Sequence, residues 1–340
     1  MKNKSIEIVG GGIAGLSLAV GLRAVEVPVT LREAGRYPRH RLCGEFVNGV
    51  SDATLAKLGL GGLFDDARVH SDMTWWSKGE KIAEAELERP VRALSRWEMD
   101  RRMSELFVEQ EGSLLCGERV SCEPSEGRVW AAGRKLQKKT GWLGLKAHFL
   151  GLETCSGLEM HLGNGGYVGL TPVEGGRVNV CGLFRQNDSS QGKGSERLLS
   201  YLRECGLEGL VARLREAEAD EVSVTGISGI GFGAQGQHSE LLALGDAERM
   251  IPPFTGNGMS MAFEASECAV DPLVDYSLGK RGWRDTSSLI GTRLQERFQK
   301  RITLARGLHG FILNSQAQDV LAAVAKPGFL PFTFLNRLLT

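Results

Sequence analysis

The first 33 residues restrict this chain more than any other segment. An apolar run, Ile6–Val9, leads into Gly10-Gly11-Gly12-Ile13-Ala14-Gly15, and an apolar helical pattern follows (Leu16, Leu18, Ala19, Val20, Leu22). A second strand-like run at 27–31 leads to Glu33. Strand, glycine turn, helix, strand and acid, in that order, read as a βαβ dinucleotide-binding unit. Gly10 permits the tight turn, Gly12 lets the backbone approach a pyrophosphate, and Gly15 lets helix and strand pack closely. The helix N-terminus, at Ile13 and Ala14, offers unpaired N–H groups and a positive dipole end to phosphates. Glu33, followed by Ala34, is placed to accept hydrogen bonds from a ribose and disfavours a ribose 2′-phosphate.

A chain of 340 residues can bury a large core and is expected to hold two domains. Its 41 basic and 41 acidic residues balance, which excludes a general attraction to nucleic acid or an anionic membrane. Seven scattered cysteines, an odd number with no C-x-x-C, fit a reduced cytoplasmic protein rather than a disulfide framework or a metal site. The N-terminus enters a strand without a signal-peptide pattern, and no apolar run approaches the roughly 18 to 20 residues of a spanning helix. The apolar stretch Gly328-Phe329-Leu330-Pro331-Phe332-Thr333-Phe334-Leu335 is expected to dock on its own protein rather than on lipid.

Along the chain, 36–50 reads as a loop dense in basic groups and 51–60 as a short helix. Two strands are expected at 69–76 and 81–87. A helix over 95–109 follows, with Ser95 and Glu98 forming a capping box. A β-meander is expected over 141–183, a helix over 195–217, and a buried strand at 241–244. Glu216, Glu218, Asp220 and Glu221 read as a solvated helix end. A buried strand ending in Gly245-Asp246 puts a carboxylate at the carboxyl edge of a sheet, where ligands bind. The loop from Pro252 through Gly256 and Asn257 then enters a helix near Gly258 and Met259, whose free amides can face a developing negative charge.

On these residues the chain resembles the FAD-dependent oxidoreductases of the p-hydroxybenzoate hydroxylase fold, and most closely their geranylgeranyl-reductase-like branch. Three blocks carry the likeness: Gly10 to Gly15 with Glu33, Tyr37-Pro38-Arg39-His40-Arg41-Leu42-Cys43-Gly44-Glu45, and Gly245-Asp246 through Pro252 to Met259. Arg96, with Trp97 and Asp100, matches the family's arginine beside the cofactor. The resemblance implies an α/β fold: a Rossmann-like FAD-binding domain with an inserted β-rich substrate domain and C-terminal helices. The expected divisions are 1–68, 95–138 and 241–310 for the FAD-binding domain, 69–94 and 139–240 for the substrate domain, and 311–340 for a C-terminal helical tail. It implies that Gly10, Gly12, Ile13, Ala14 and Gly15 hold the pyrophosphate, and that Glu33 and Ala34 lie at the adenosine ribose. Arg41, Arg96 and Asp246 would lie along the cofactor, and Pro252, Gly256, Asn257, Gly258 and Met259 at the flavin ring. One departure stands out: the family's Asp-Gly motif is replaced by Ala131-Ala132-Gly133-Arg134. The loss bears on the nicotinamide partner, so electrons would come from transiently bound NAD(P)H or from a separate flavin reductase.

Cys43 follows Arg39, His40 and Arg41, whose charge would lower a thiol pKa. It could hand a proton to a substrate carbon, or simply pack under the flavin. Glu45 reads as an acid or base near the ring, or as an ion-pair partner of Arg41. Trp75, Trp76, Trp142, Phe149 and Tyr167 are candidates for lining an apolar substrate cavity, with plain core the alternative. His148 could polarise a substrate oxygen, with a satisfied structural histidine the alternative, and His309 reads as structural. Three functions stay open. The first is a reductase of C=C bonds in a lipid-like, isoprenoid or polyketide-like substrate. The second is a monooxygenase that hydroxylates an aromatic or isoprenoid substrate through an oxygen adduct of reduced flavin. The third is a non-catalytic FAD-bound protein.

Overall fold

β1 (Ile6–Val9) buries Ile6, Ile8 and Val9, as a strand in the middle of a parallel sheet must, while the part-buried Glu7 pairs with Arg32 and Arg128 of the flanking strands. It sits at the centre of a five-stranded sheet in the order β14 (Leu242–Ala243), β7 (Arg128–Trp130), β1, β2 (Val29–Glu33), β6 (Ser113–Cys116), all pairs parallel. The computed structural model describes residues 3–135, 137, 140–187, 192–235 and 240–312. The tail expected at 311–340 therefore lies, beyond Ile312, outside the described residues.

α1 (Ile13–Arg23) follows β1 and packs against α3 (Arg96–Glu109) and α6 (Gly258–Ser277) in one apolar core. The 30-residue α7 (Trp283–Ile312) extends that core through Ile290, Leu294, Phe298 and Ile302. The crossing of β1 and α1 leaves no room for side chains. Gly10 has φ +104°, and a Cβ there would lie 2.4 Å from the Ala131 carbonyl oxygen; a Cβ on Gly15 would lie 1.8 Å from the Gly10 carbonyl oxygen.

A second sheet of eight strands runs β12 (Glu218–Ser228), β8 (Trp142–Leu150), β11 (Arg177–Arg185), β10 (Gly166–Pro172), β9 (Leu158–Gly163), β4 (Arg68–Ser77), β5 (Glu80–Ala93), β3 (Phe46–Val47). Its pairs are antiparallel except β4 with β9. The two-residue β3 comes from the loop expected at 36–50, so that loop joins this sheet's edge. A two-stranded ribbon, β13 (Gly233–Ala234) with β15 (Arg249–Met250), is formed by segments on either side of β14 in the chain. Strand alternation gives the large sheet two faces. Leu143, Leu145, Ala147 and Phe149 of β8 face α4 (Gly194–Glu204) and α5 (Glu208–Glu216). Trp142, Tyr167 and Leu183 belong to a separate apolar cluster with Ile230 and Phe254.

Three local expectations change. The helix expected over 195–217 is broken between α4 and α5, where Gly206 takes φ +75°. Glu218, Asp220 and Glu221 lie in β12 rather than at a helix end, and Glu221 accepts hydrogen bonds from the Ser195 amide and hydroxyl at the start of α4. At α3, Ser95 caps the Glu98 amide at 3.1 Å, but the return half of the capping box is missing. The Glu98 carboxylate pairs with Arg101 and Arg102, and the Ser95 amide donates to Glu174 instead.

Replacing Gly15 with Ala is expected to lower unfolding stability by about 1–3 kcal/mol, the usual effect of overpacking. Urea unfolding of the purified protein measures it. An unchanged midpoint would show that β1 and α1 have slack the geometry denies.

Candidate active site

The glycine turn is built around Glu33. Its carboxylate accepts from the Gly11 amide at 2.7 Å and the Gly35 amide at 2.8 Å, and it pairs with Arg39 at 2.7 Å and Arg41 at 3.7 Å. Burial works to raise this carboxyl, yet the charges of Arg41 and Arg39 and the two amides outweigh it and hold it below the ordinary value. Glu33 is therefore an anion at neutral pH, with lone pairs left for a further donor. Arg41 continues the network: it donates to the Gly11 carbonyl at 2.9 Å and to Asp100 at 2.7 Å, while the Tyr37 hydroxyl donates to the same carbonyl at 2.7 Å. Arg96 forms two hydrogen bonds of 2.9 Å with the fully buried Asp100.

Gly12 is the N-cap of α1, with no side-chain cap, and a methyl group on it would meet nothing within 4 Å. The side chains of Ile13 and Ala14 are in the core, so these two residues present only their amides. Ala34 is exposed just past β2. The altered segment packs on this turn: the backbone of Ala131 and Ala132 lies against Gly10. Arg134 then projects near Asp246, with its Nε buried and lacking a hydrogen-bond partner. The surrounding protein raises the Asp246 carboxyl, and the charges of Arg134 and Arg96 partly offset that.

Asp246 occupies a short turn after β14, and a cleft lined by Gly245, Asp246, Ile251, Gly258 and Met261 joins it to the start of α6. Pro252 precedes a single 3₁₀ turn that Gly256 ends with φ +67°. Asn257 is the N-cap of α6; its carbonyl accepts from the Met261 amide at 2.9 Å and the Ser260 hydroxyl at 3.0 Å. The Gly258 and Met259 amides have no intrahelical acceptor. An open amide turn, a buried arginine and a second open helix start form a donor set that suits a dinucleotide with two phosphates and an electron-accepting ring.

Cys43 stands where these elements meet, its Sγ 3.3 Å from Met259 Sδ. Its expected activation by Arg39 and Arg41 is corrected: both guanidiniums are committed to Glu33 and Asp100. Burial pushes the thiol above its ordinary value, and the nearest offsetting charge is Arg96. Glu45 does not pair with Arg41 either. Fully buried, it forms a close ion pair with Lys146, bonds His148 Nε2 at 2.6 Å and accepts from the Arg96 amide at 2.8 Å. Lys146 was not foreseen in this role; a lysine inside an apolar strand pattern is the only signal for it. His148 lies edge-on to His40 at 5.2 Å.

The aromatic candidates separate. Trp142 and Tyr167 lie on the face of the large sheet towards this site, with Trp75 packed beside them. Phe149 is on the opposite face, and Trp76 stacks on His161 at 5.5 Å. A cavity of about 320 Å³ opens between Trp142, Phe232, Pro252, Arg306 and His309. His309, expected to be structural, has both ring nitrogens buried and without a hydrogen-bond partner among the described residues.

No family model matches the chain. Menaquinone reductase of Mycolicibacterium smegmatis is 23% identical over 89% of this chain and 83% of that protein. PqsL of Pseudomonas aeruginosa, in complex with 2-aminobenzoylacetate, has the same fold at a TM-score of 0.74, with 17% identity over 95% of this chain and 99% of that one. HpxO of Klebsiella pneumoniae, complexed with FAD and uric acid, gives 0.73 with 17% identity over 98% and 97%. The expected α/β fold of the p-hydroxybenzoate hydroxylase type is the fold found.

Glu45 gives this site a pH-dependent stability. Burial raises its carboxyl, but Lys146 and His148 together hold it at about 2, against an ordinary 4.5. The stabilisation is full above the ordinary value and is lost as pH falls from 4.5 towards 2. Glu45→Gln leaves Lys146 buried without its counter-charge and is expected to destabilise by about 3–5 kcal/mol. The difference between wild type and variant should shrink across that acid range. A difference that does not change with pH would remove Glu45 as the titrating group.

Proposed function

We propose that the protein is an FAD-dependent oxidoreductase that reduces a C=C bond of a lipid-like, isoprenoid or polyketide-like substrate. The observation that carries it is Cys43: a thiol beside the start of α6, kept protonated by burial, with the Arg96 charge next to it. The Cys43-Gly44-Glu45 block supports the geranylgeranyl-reductase-like branch, and so does the likeness to a menaquinone reductase.

In this reading the amides of Gly12, Ile13 and Ala14 hold the cofactor's pyrophosphate, with Gly10 and Gly15 shaping the turn. Glu33 accepts from the adenosine ribose, with Ala34 bordering it, and Arg41 fixes the glycine turn from behind. Asp246 faces the ribityl hydroxyls, and Arg134 contributes positive charge where the family's acid is missing. Pro252 and Gly256 shape the loop that brings Asn257, Gly258 and Met259 to the ring's electron-rich edge. Reduced FAD, when bound, supplies a hydride to one carbon of the double bond. Cys43 gives its proton to the other carbon, Arg96 stabilises the thiolate left behind, and solvent returns a proton before the next cycle. Glu45, bound by Lys146 and His148, holds the Cys43 loop in place. The electrons come from transiently bound NAD(P)H or from a separate flavin reductase. A second reading, hydroxylation by a flavin monooxygenase, is favoured by the likeness to PqsL.

Arg134→Gln is expected to weaken FAD retention about tenfold, the effect of one charge-assisted hydrogen bond. The flavin-to-protein absorbance ratio after dilution reads it, and unchanged retention takes Arg134 out of the cradle. The activity is tested by reducing the holoprotein anaerobically, adding menaquinone and re-oxidising the quinol in air. A product heavier by two hydrogens supports the reductase, whereas a gain of one oxygen under aerobic turnover supports the second reading. Cys43→Ser is expected to keep its flavin and lose at least about 100-fold in the reductive rate. Wild-type rates in that variant would end its role as proton donor.

A further inference from the structure

The cavity beside α7 contains polar groups that packing alone does not explain. His309 is only 9% exposed and is ringed by Phe232 at 4.8 Å, Trp142 at 5.6 Å, Phe254 at 6.0 Å and Tyr167 at 6.4 Å. Burial, with Arg185 adding to it, lowers the imidazole to about 4, so at neutral pH the ring is uncharged and carries one donor and one acceptor. Neither nitrogen has a partner among the described residues, and the Thr140 hydroxyl in the same cavity is also buried without one there. Each such group carries a desolvation penalty when left unsatisfied, a penalty a phenylalanine or leucine here would avoid. One turn before His309, Arg306 lies exposed at the cavity wall, with no hydrogen bond or ion pair among the described residues. Arg185 stacks on Trp142 at 4.0 Å and adds a second positive charge on that side.

We propose that this cavity binds a planar conjugated carboxylic acid, with the carboxylate at Arg306, the conjugated body against Trp142 and Phe232, and a carbonyl or hydroxyl oxygen at His309. The assignment deepens the reading above, and rests on it, by taking the cavity as the substrate site. It narrows the preferred substrate to an acid, so a polyketide-like acid fits best and a neutral isoprenoid such as menaquinone is the weaker substrate. Pro252, on the loop entering α6, borders the same cavity, which puts the bound acid next to the reacting edge of the cofactor site. Arg306 and His309 then act as specificity residues: one selects charge, the other orients the oxygen.

The test is isothermal titration of the flavin-loaded protein with 6-hydroxy-2-naphthoate, 2-naphthoate and 2-naphthol. The hydroxy acid should bind tightest. Arg306→Gln should weaken both acids about tenfold and leave 2-naphthol unchanged, the loss of one charged contact. His309→Phe, which preserves the ring packing, should weaken the hydroxy acid about tenfold and leave 2-naphthoate unchanged. Equal affinity for all three compounds, no binding, or uniform losses in both variants would overturn the proposal. Flavin content measured on the same samples separates the two readings. Protein that binds the acids but cannot hold FAD ends the redox reading and keeps the cavity; flavin-loaded protein that ignores the acids does the reverse.

Discussion

A carboxylate with no access to water must find its counter-charge inside the protein, and Glu45, just ahead of the edge strand β3, finds it on a distant strand of the same sheet. Its ion pair with Lys146 and its bond to His148 reach β8, next to the far edge of the eight-stranded sheet. The same carboxylate accepts from the Arg96 amide at the start of α3. Losing either partner would strand a charge in the interior, so the position of the 36–50 loop is fixed between the two sheets rather than merely favoured. Everything else that loop carries depends on this anchorage. Arg39 and Arg41 close on Glu33 and the glycine turn, and Cys43 lies at the first turn of α6. One short segment thus sets the spacing between the dinucleotide cradle and the sheet that carries the cavity.

Much of the cradle was legible because it is local. The order of β1, glycine turn, α1 and β2 is written in side-chain period and in glycines that contacts of 1.8 and 2.4 Å demand. Ser95 as a cap and Gly245-Asp246 after a buried strand are equally short-range signals. What the sequence could not disclose depends on partners far along the chain. Glu45 was matched to the nearby Arg41 because proximity in sequence was the only guide, while Lys146 lies about 100 residues away. Cys43 was read from its neighbours' charges, yet those charges are consumed by Glu33 and Asp100, and burial decides the thiol. The acidic run at Glu218 to Glu221 is solvated, as its composition suggests, but it lies on a strand pairing with β8 rather than at a helix end. His309 has an apolar helical context in either role, and only the surrounding rings and its two unmatched nitrogens distinguish them.

The division of labour between the sheets follows from their strand types. In the parallel sheet all strands point the same way, so β1 and β14 deliver their carboxyl ends, with Gly10 and Asp246, to one edge. The antiparallel sheet offers a broad face instead, where alternate residues of β8 place Trp142, Lys146 and His148 in a row. On the proposed function, the edge would hold a charged, extended cofactor through backbone amides, and the face would select shape and a few polar atoms through side chains.

The order in which these parts leave the ribosome has its own consequence. β14, which completes the parallel sheet and brings Asp246, is synthesised long after β1 and β2, and α7 comes after every strand. A nascent chain that has made the whole glycine turn still lacks the turn that carries Asp246 and the helix that carries one wall of the cavity. On the proposed function, cofactor capture would then belong to the end of synthesis. Until then the apolar faces of α1 and the growing sheets have only each other, the kind of transiently exposed surface that makes partly made chains prone to associate.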